Sequence, residues 1–326
     1  GNPNGEKGLR YKEILESFDP EMGTTRETSM LDYNLGFSIG NQIPKEKVTW
    51  GYNASFSYKN SSEYYEEAEY GRYGVDPAKP EVYEMDYREF QQGGLGVNNV
   101  MISGMAGIAV KTKYSKSRLN ILHLQNGEKR AGIFNYSNSD LGAIFEGVQH
   151  NLEFTQRSMT NLLLNGKHLF ADNNWQLEWK LSPSFSKMDD PDIRFTRYEV
   201  KDGDFIIGTE AGFPERIWRE LDEVSLSGTV DLTRNLNLFG EKSQIRFGGL
   251  ATRKDRNFII RNFQLNVRNI PLTGDPDELF FAENLWPYNG NSGRGTTFET
   301  PFIPVNPNQF EANNLNAAGY LSWEMS

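Results

Sequence analysis

Apolar and polar residues alternate without interruption from Asn174 to Lys187, NWQLEWKLSPSFSK. One side of the segment carries Trp175, Leu177, Trp179, Leu181, Pro183 and Phe185, and the other side carries Gln176, Glu178, Lys180, Ser182, Ser184 and Ser186. A period of two is the pattern of a β-strand with one apolar face. The segment therefore predicts a strand whose apolar face contacts either the core of a soluble protein or lipid.

The same alternation recurs along the whole chain and predicts nine strands. It is regular in 31–40, 48–58, 174–187, 223–232 and 315–325, and less regular in 98–113, 117–127, 146–170 and 243–266. Short connections are predicted near 41–46, 114–116, 171–174 and 238–242, and long loops near 60–97, 128–145, 189–218 and 267–312. A transmembrane barrel sorts short periplasmic turns from long extracellular loops in this way, whereas a soluble sandwich mixes its connections. We therefore predict an all-β fold, an antiparallel up-and-down transmembrane β-barrel that is partial and extends over residues 31–326.

The tryptophans support the same interpretation. Trp50, Trp175, Trp179 and Trp323 are all predicted near the short turns, as expected for an aromatic girdle at one membrane interface. The polar side of the strands is then expected to face a wet lumen. Candidate lumen-facing residues are Arg157, Asn161, Glu178, Lys180 and Arg246.

Composition narrows the possible functions. The 326 residues include 44 acidic and 34 basic side chains, which give a net charge of −10 and argue against a nucleic-acid partner. Cysteine is absent, which excludes disulfides, thiolate metal sites and a cysteine nucleophile. We find neither a signal-peptide pattern in residues 1–30 nor an apolar stretch approaching 18 residues, so no transmembrane helix is expected.

Motifs for catalysis or metal binding are weak. His123, His150 and His168 share no metal-ligand spacing. The acidic run 188–194 offers Asp189, Asp190 and Asp192 as calcium ligands, although a solvated loop is the favoured interpretation. We therefore predict no enzymatic activity, no cofactor and no bound metal. The segment KDGDF, 201–205, predicts a hairpin turn of type I′.

Several segments resemble one family as an ordered set. HNLEFTQRSMTNLLLNGKHLF (150–170), WQLEWKLSPSFSKMDDPDIRFTRYE (175–199), IRFGGLATRKDRNF (245–258) and NLNAAGYLSWEM (314–325) resemble barrel strands of TonB-dependent outer-membrane receptors, especially those of Bacteroidetes. YKEILESFDPEM (11–22) is similar to the region that follows the plug domain in that family. The resemblance implies a 22-stranded barrel of which this chain supplies about nine strands. Residues 1–30 are then a lead-in segment after a plug domain that the chain lacks.

The resemblance also implies a location and a function. The location is the outer membrane of a Gram-negative bacterium, and the function is TonB-energised uptake of a siderophore, an oligosaccharide or a similar nutrient. The implied partners are outer-membrane lipid, the TonB system through the plug region, an extracellular small-molecule or glycan ligand and a surface lipoprotein.

Two loops combine aromatic rings with polar groups, which suits recognition of a sugar or another polar ligand. The candidate ligand contacts are Tyr64, Tyr65, Tyr70 and Tyr73 in 63–75, and Trp286, Tyr288 and Arg294 in 283–295. Two alternatives stay open at this point. One is a soluble all-β ligand- or carbohydrate-binding module, and the other is a surface adhesin that does not transport.

Overall fold

The computed structural model describes residues 2–75, 81, 84–139, 145–170, 174–208, 212–299 and 308–325. These residues form one α-helix, α1 (Glu6–Glu16), one 3-10 helix (Pro276–Phe280) and a single antiparallel sheet of 11 strands. The strands are β1 (Tyr33–Pro44), β2 (Thr49–Val75), β3 (Met85–Lys111), β4 (Ser115–Asn138), β5 (Phe145–Phe170), β6 (Trp175–Lys201), β7 (Asp204–Ile206), β8 (Glu215–Leu238), β9 (Glu241–Arg268), β10 (Gly295–Glu299) and β11 (Gln309–Met325).

The sheet has up-and-down topology, because nearly every strand pairs with its neighbours along the chain. The order is β1-β2-β3-β4-β5-β6-β8-β9, after which β10 and β11 both pair with β9 and β7 pairs with the end of β6. An all-β antiparallel up-and-down fold is therefore confirmed. The nine long strands correspond to the nine predicted ones, and β7 and β10 are additional. Within the described residues the sheet is open, with β1 at one edge and β11 at the other.

Three of the four predicted long loops are wrong. The regions 60–97, 128–145 and 189–218 consist mainly of strand, because β2, β3, β4, β6 and β8 extend well beyond the alternating segments and leave connections of only 76–84, 139–144 and 202–214. Register shifts explain the error in the first and the third of these regions. One lies between Tyr65 and Ala68 and another between Asp190 and Ile193, and each bulge interrupts the period of two on which the prediction depended. Only the region 267–312 remains largely a connection, 269–308, which contains β10.

Short and long connections still fall at opposite ends of the sheet. The connections 45–48, 112–114, 171–174 and 239–240 form the short-turn end, and the longer ones form the opposite, long-loop end. The predicted turn in KDGDF is also confirmed. Asp202 and Gly203 have φ values of 52° and 89°, and Lys201 pairs with Asp204, as a type I′ hairpin requires.

Strand register determines which side chains share a face, because directly opposed residues point the same way. One row crosses all nine long strands through Ile43, Trp50, Val110, Ser117, Gly166, Trp179, Val230, Gly249 and Gly319. The neighbouring row points to the other side and contains Pro44, Thr49, Lys111, Lys116, Lys167, Glu178, Asp231, Gly248 and Tyr320. We call the two sides the apolar face and the polar face.

The strands are staggered relative to these rows. β2 begins at Thr49, directly before Trp50, whereas β9 begins at Glu241, eight residues before Gly249 in the same row. The shift between the two strand starts is about 23 Å along the strands, over six strand spacings that span about 29 Å. Together these lengths give a strand tilt of about 40°.

The apolar face is widely exposed in its short-turn half. We call this surface the apolar band. Its members include Leu35 (62% exposed), Phe37 (63%), Phe56 (50%), Ile108 (55%), Phe185 (48%), Val230 (54%), Leu321 (75%) and Trp323 (58%). Monomeric soluble proteins rarely expose an apolar surface that extends across so many strands.

At its long-loop end the apolar face is covered by the N-terminal segment and by 269–294. Their core contains Leu15, Met22, Leu265, Leu279, Phe280 and Leu285. The ring of Tyr11 stacks on Phe298 with centroids 4.7 Å apart, and Trp286 packs edge-on against Tyr11 at 5.5 Å. The N-terminal segment is therefore an integral part of this end of the molecule, and it crosses the apolar face before entering β1.

A buried ion-pair cluster fixes the N-terminal segment to the sheet. The fully buried side chain of Arg216 pairs with Asp192, the residue with φ of 63° in the β6 bulge, and also donates to the backbone oxygen of Asp19. Arg194 pairs with both Asp19 and Asp192 at 2.9 Å. The hydrogen bond from the Glu21 N–H, followed by the Arg194 guanidinium, lowers the pKa of Asp19 below its usual value, against a smaller effect of burial.

Glu278 anchors the connection between β9 and β10. Its carboxylate, 3% exposed, accepts hydrogen bonds from the Thr273 N–H at 2.7 Å, the Thr273 hydroxyl at 2.8 Å and the Gly274 N–H at 3.1 Å. The Tyr198 hydroxyl donates to the same carboxylate at 3.0 Å. Burial, together with the Glu278 charge, raises the pKa of Tyr198 well above its usual range.

The substitution Glu278→Gln tests this anchor. A carboxamide turns one acceptor oxygen into a donor that opposes the surrounding donors, so we expect a loss of about 1–3 kcal/mol in local stability. Hydrogen exchange of the amides in 269–294 measures it. Glu283→Gln, an exposed glutamate in the same connection, is the matched control. Equal exchange in the two variants would contradict the prediction.

Candidate functional site

The polar face is concave at its long-loop end. Arg197 on β6 lies 3.9 Å above the ring of Tyr136 on β4, and its guanidinium is 3.9 Å from the Glu89 carboxylate on β3. Side chains on strands so far apart in the sheet meet only if the sheet curls toward them, because adjacent strands are separated by about 4.8 Å. The curvature explains why Phe134 (1% exposed) and Tyr136 (3%) are buried on this face.

One group of side chains on this concave surface surrounds Arg197. The guanidinium donates to Gln149 Oε1 at 2.6 Å and 2.8 Å, and the Tyr136 hydroxyl accepts from the Asn138 amide at 2.9 Å. Glu89 in turn faces Arg72 at 3.6 Å. Planar rings, amides and charges of both signs therefore line one wall.

A second group lies nearer the centre of the sheet and contains two arginines and two acids. Arg130 and Glu153 are cross-strand partners on β4 and β5, and Asp190 and Arg219 are partners on β6 and β8. Arg219 Nε lies 2.8 Å from Asp190 Oδ2, at an angle outside hydrogen-bond geometry. The formal charges balance. Such a surface suits a ligand that both donates and accepts hydrogen bonds.

Several polar atoms in this second group are buried without a hydrogen-bond partner in the described part of the chain. They are Arg130 Nε, both Asp190 carboxylate oxygens and Arg219 Nε, and Asn262 Oδ1 on the polar face of β9 is a further atom of this kind. The ion pair between Asp190 and Arg219 offsets part of the cost for these two side chains. An unsatisfied buried polar atom costs about 1–3 kcal/mol. Water or ligand hydroxyl groups would relieve that cost.

Glu153 is the titratable centre of this group and lies outside the apolar band, toward the long loops. Burial raises the pKa of Glu153 above its usual value of 4.5. The positive charges of Arg130 and Arg219 oppose that effect, and the negative charge of Asp190 adds to it. The site therefore favours the neutral acid more than water does.

The predicted lumen-facing residues all lie on the polar face. Arg157 and Asn161 are on β5, Glu178 and Lys180 on β6, and Arg246 on β9. They lie nearer the short-turn end than the concave site. Asn161 donates to Ser182 at 2.9 Å, Lys167 pairs with Glu178 at 2.9 Å, and Arg246 donates to Gln244 at 3.3 Å.

The four candidate tyrosines of 63–75 lie in β2 and not in a loop, which corrects the predicted setting. Tyr65 and Tyr70 are on the polar face, where the Tyr70 hydroxyl accepts from Arg130 at 3.2 Å and its ring packs edge-on against Phe134. Tyr73 pairs with Tyr87, with centroids 4.6 Å apart. Tyr64 points to the apolar face, where Arg26 of the N-terminal segment lies over its ring.

The second candidate group belongs to the other side of the sheet. Trp286 donates to the Ser292 oxygen at 2.9 Å, and Arg294 lies 4.7 Å above the Tyr288 ring while donating to the Asn269 oxygen at 2.7 Å. These contacts hold the connection 269–294 together. The structure therefore does not bring the two aromatic groups into one site.

The four tryptophans proposed as a girdle share the apolar face near the short turns. Trp50 and Trp179 lie in one cross-strand row, and Trp175 and Trp323 lie in another, linked through Arg234 and Ile245. The Arg234 guanidinium lies 4.9 Å from the centre of the Trp175 ring.

Metal ligation has no support in the described ranges. No group of three or more His, Cys, Asp or Glu side chains there is placed to hold an ion. Asp190 and Asp192, both considered for calcium, face arginines on opposite sides of the sheet.

Sequence reasoning missed Arg197, Gln149, Glu89 and the Glu153 group. The bulge at Asp192 reverses the facing of β6 beyond it, so the alternation in IRFTRYEV could not be extended from the earlier part of the strand. Arg130 is paired with Glu153, and Asp190 with Arg219, across neighbouring strands. Only the strand register shows these pairings.

Comparison with known proteins found no match. Neither a scan against protein-family models nor searches of curated proteins and of solved structures identified a related chain. Among the described helices, none has the length and apolar character needed to cross a membrane.

The substitution Glu153→Gln tests the electrostatics of the concave site. Because the folded protein holds the Glu153 proton more tightly than the unfolded chain does, the wild type should lose stability as the pH rises from 4.5 through the raised pKa. The glutamine variant lacks that loss. Denaturant unfolding at pH 4 and pH 8 measures the difference, with Glu146→Gln on the same strand as the control. A difference between wild type and variant that does not change with pH would contradict the prediction.

Proposed function

We propose that this chain forms part of the wall of an outer-membrane β-barrel receptor that takes up a nutrient by a TonB-dependent mechanism. The observation that carries the proposal is the apolar band, which extends over one face of nine strands while the other face is mainly polar. Lipid is the environment in which such a band is stable, and a wet lumen suits the polar side.

The dimensions of the band support a membrane location. On β6 it extends from Trp175 to Phe185. At a rise of about 3.3 Å per residue and a tilt of about 40°, that length covers roughly 25 Å along the membrane normal. The apolar belts of outer-membrane barrels have this height, and their strands tilt by about 35–45°.

The two ends of the sheet support an orientation of the chain in the membrane. Tryptophans border the band at the short-turn end, where a periplasmic interface is expected. At the other end the strands continue beyond the band and carry α1 and 269–294, as expected for the extracellular side. The resemblance of the segments quoted above to TonB-dependent receptors supplies the transport function, with a surface lipoprotein as an expected partner.

The soluble alternative requires a second layer over the band. In a sandwich, another sheet buries the apolar face. The described residues form one sheet, and their apolar band is covered by neither a second sheet nor a helix in its short-turn half. The adhesin alternative shares the barrel and differs only in lacking transport.

Brominated lipids test the membrane location. We expect single-tryptophan variants that retain Trp50, Trp175, Trp179 or Trp323 to be quenched in bilayers with brominated acyl chains, because bromine quenches only on contact. Variants that retain Trp218 or Trp286, which pack at the long-loop end, serve as matched controls and should keep their fluorescence. Equal quenching at all six positions, or quenching at none, would contradict the proposal.

For the ligand, we propose that the concave polar face is the contact surface. Calorimetry with a panel of neutral oligosaccharides and ferric siderophores tests it on the detergent-solubilised chain. We expect Tyr70→Ala to weaken binding roughly tenfold, the effect of losing one aromatic contact. Tyr288→Ala, on the other side of the sheet, should leave affinity unchanged. The opposite result would assign the ligand to 283–295.

A further inference from the structure

The short-turn end of the sheet carries a basic recess between the β1–β2 and β3–β4 turns. Its cavity volume is about 580 Å³. Its lining includes Lys45, Glu46, Lys47, Lys111, Lys113 and Tyr114. Four lysines and one glutamate therefore share one small surface of a chain whose net charge is −10. We call this surface the lysine recess.

Backbone pairing holds the lysines in place. Thr49 pairs with Lys111, which joins the two turns side by side. The Lys45 N–H donates to the Val48 oxygen at 2.8 Å, and the Thr112 N–H donates to the Ser115 oxygen at 2.7 Å, so both turns are closed. The charges are thus presented by ordered backbone.

Like charges also meet across the strands beside the recess. Lys111 opposes Lys116, and Lys116 opposes Lys167. Lys167 is offset by Glu178 at 2.9 Å. Across the described residues, Lys45, Lys47, Lys111 and Lys116 have no carboxylate oxygen within 4.0 Å. Like charges directly opposed in a sheet destabilise it. This row lies on the polar face, so a lipid on the apolar face would be held by the lysines of the turns and not by this row.

The position of the recess identifies the anion. It lies at the short-turn end of the apolar band, because the turn that carries Lys45 and Lys47 joins the ends of β1 and β2, where Ile43 and Trp50 are on the apolar face. The exposed Tyr114 ring, with Lys113 over it at 5.0 Å, borders the recess. At this border between apolar surface and water, a bilayer presents its headgroup phosphates, and each basic side chain near an anionic surface adds to the attraction.

We propose that the lysine recess binds the headgroup of an anionic phospholipid in the leaflet that faces the short turns. The ammonium groups of the turn residues Lys45, Lys47 and Lys113 contact the phosphate, and the acyl chains lie along the band beside Trp50. This inference rests on the proposed membrane location.

Lipid-selective quenching of Trp50 tests the site. The chain that retains only Trp50 is reconstituted in phosphatidylcholine bilayers that contain, at equal mole fraction, either brominated phosphatidylglycerol or brominated phosphatidylcholine. We expect an apparent association constant about fivefold higher for phosphatidylglycerol, the effect of one favourable lysine contact. The preference should fall at high sodium chloride, because salt screens exposed charges.

Substitution of the four lysines removes the charge without changing the band. We expect the two lipids to quench Trp50 equally in one variant that combines Lys45→Gln, Lys47→Gln, Lys111→Gln and Lys113→Gln. A control with Lys7, Lys12, Lys201 and Lys254 changed to Gln should keep the preference, because none of these four belongs to the recess. The chain that retains only Trp179 should show little preference, since its reporter lies away from the recess.

The outcomes separate this inference from the membrane proposal. Equal quenching of Trp50 by both lipids in the unsubstituted recess would overturn the lipid site and leave the membrane location intact. A preference that survives the four substitutions, or that is insensitive to salt, would also overturn it. Absence of quenching at both Trp50 and Trp179 by either lipid would overturn the membrane location together with the site.

Discussion

The ladder of backbone hydrogen bonds between neighbouring strands is the constraint on which the whole molecule depends. It runs through nine long strands, and each residue's place in it decides the face on which its side chain lies. A slip of one residue would move every apolar side chain of a strand to the polar face. The separation of an apolar band from a charged concave surface therefore follows from register more than from any single contact.

The two ends of the sheet are completed by different physical means. The short turns are closed by local backbone geometry, as at Phe239 and Gly240, whose φ values of 53° and 86° connect β8 and β9 in two residues. The long-loop end depends on buried polar side chains, Arg216 beneath the N-terminal segment and Glu278 beneath the connection to β10. Such groups are stable in the interior only while every partner is present, so this end is the more sensitive to substitution.

How much of this could be predicted from the sequence depends on the periodicity of each segment. In 174–187 the alternation is unbroken, and the strand and the facing of Trp175, Glu178 and Lys180 could be predicted directly. In 63–75 charged and aromatic residues occupy both faces, and a bulge follows Tyr65, so the region resembled a loop although it is strand. The Glu153 group could not be predicted, because it combines four strands whose relative heights are set by pairing alone. The composition of 283–295 pointed to Trp286 and Tyr288 but not to their contacts. Trp286 packs against Tyr11, which is far away in the chain, and Tyr288 lies under Arg294, which donates to the Asn269 oxygen.

The row of charged residues on the polar face has an electrical consequence. Lys111 and Lys116 lie on β3 and β4, whereas Asp231 lies on β8 in the same row, about 14 Å from Lys116 at the spacing of adjacent strands. Positive and negative charges held apart in this way produce a field directed across the strands. A solute with a dipole moment that moves along this face has its lowest energy with its negative end toward β4 and its positive end toward β8. The row thus favours one orientation of a dipolar solute near this face, in addition to offering a surface for contact.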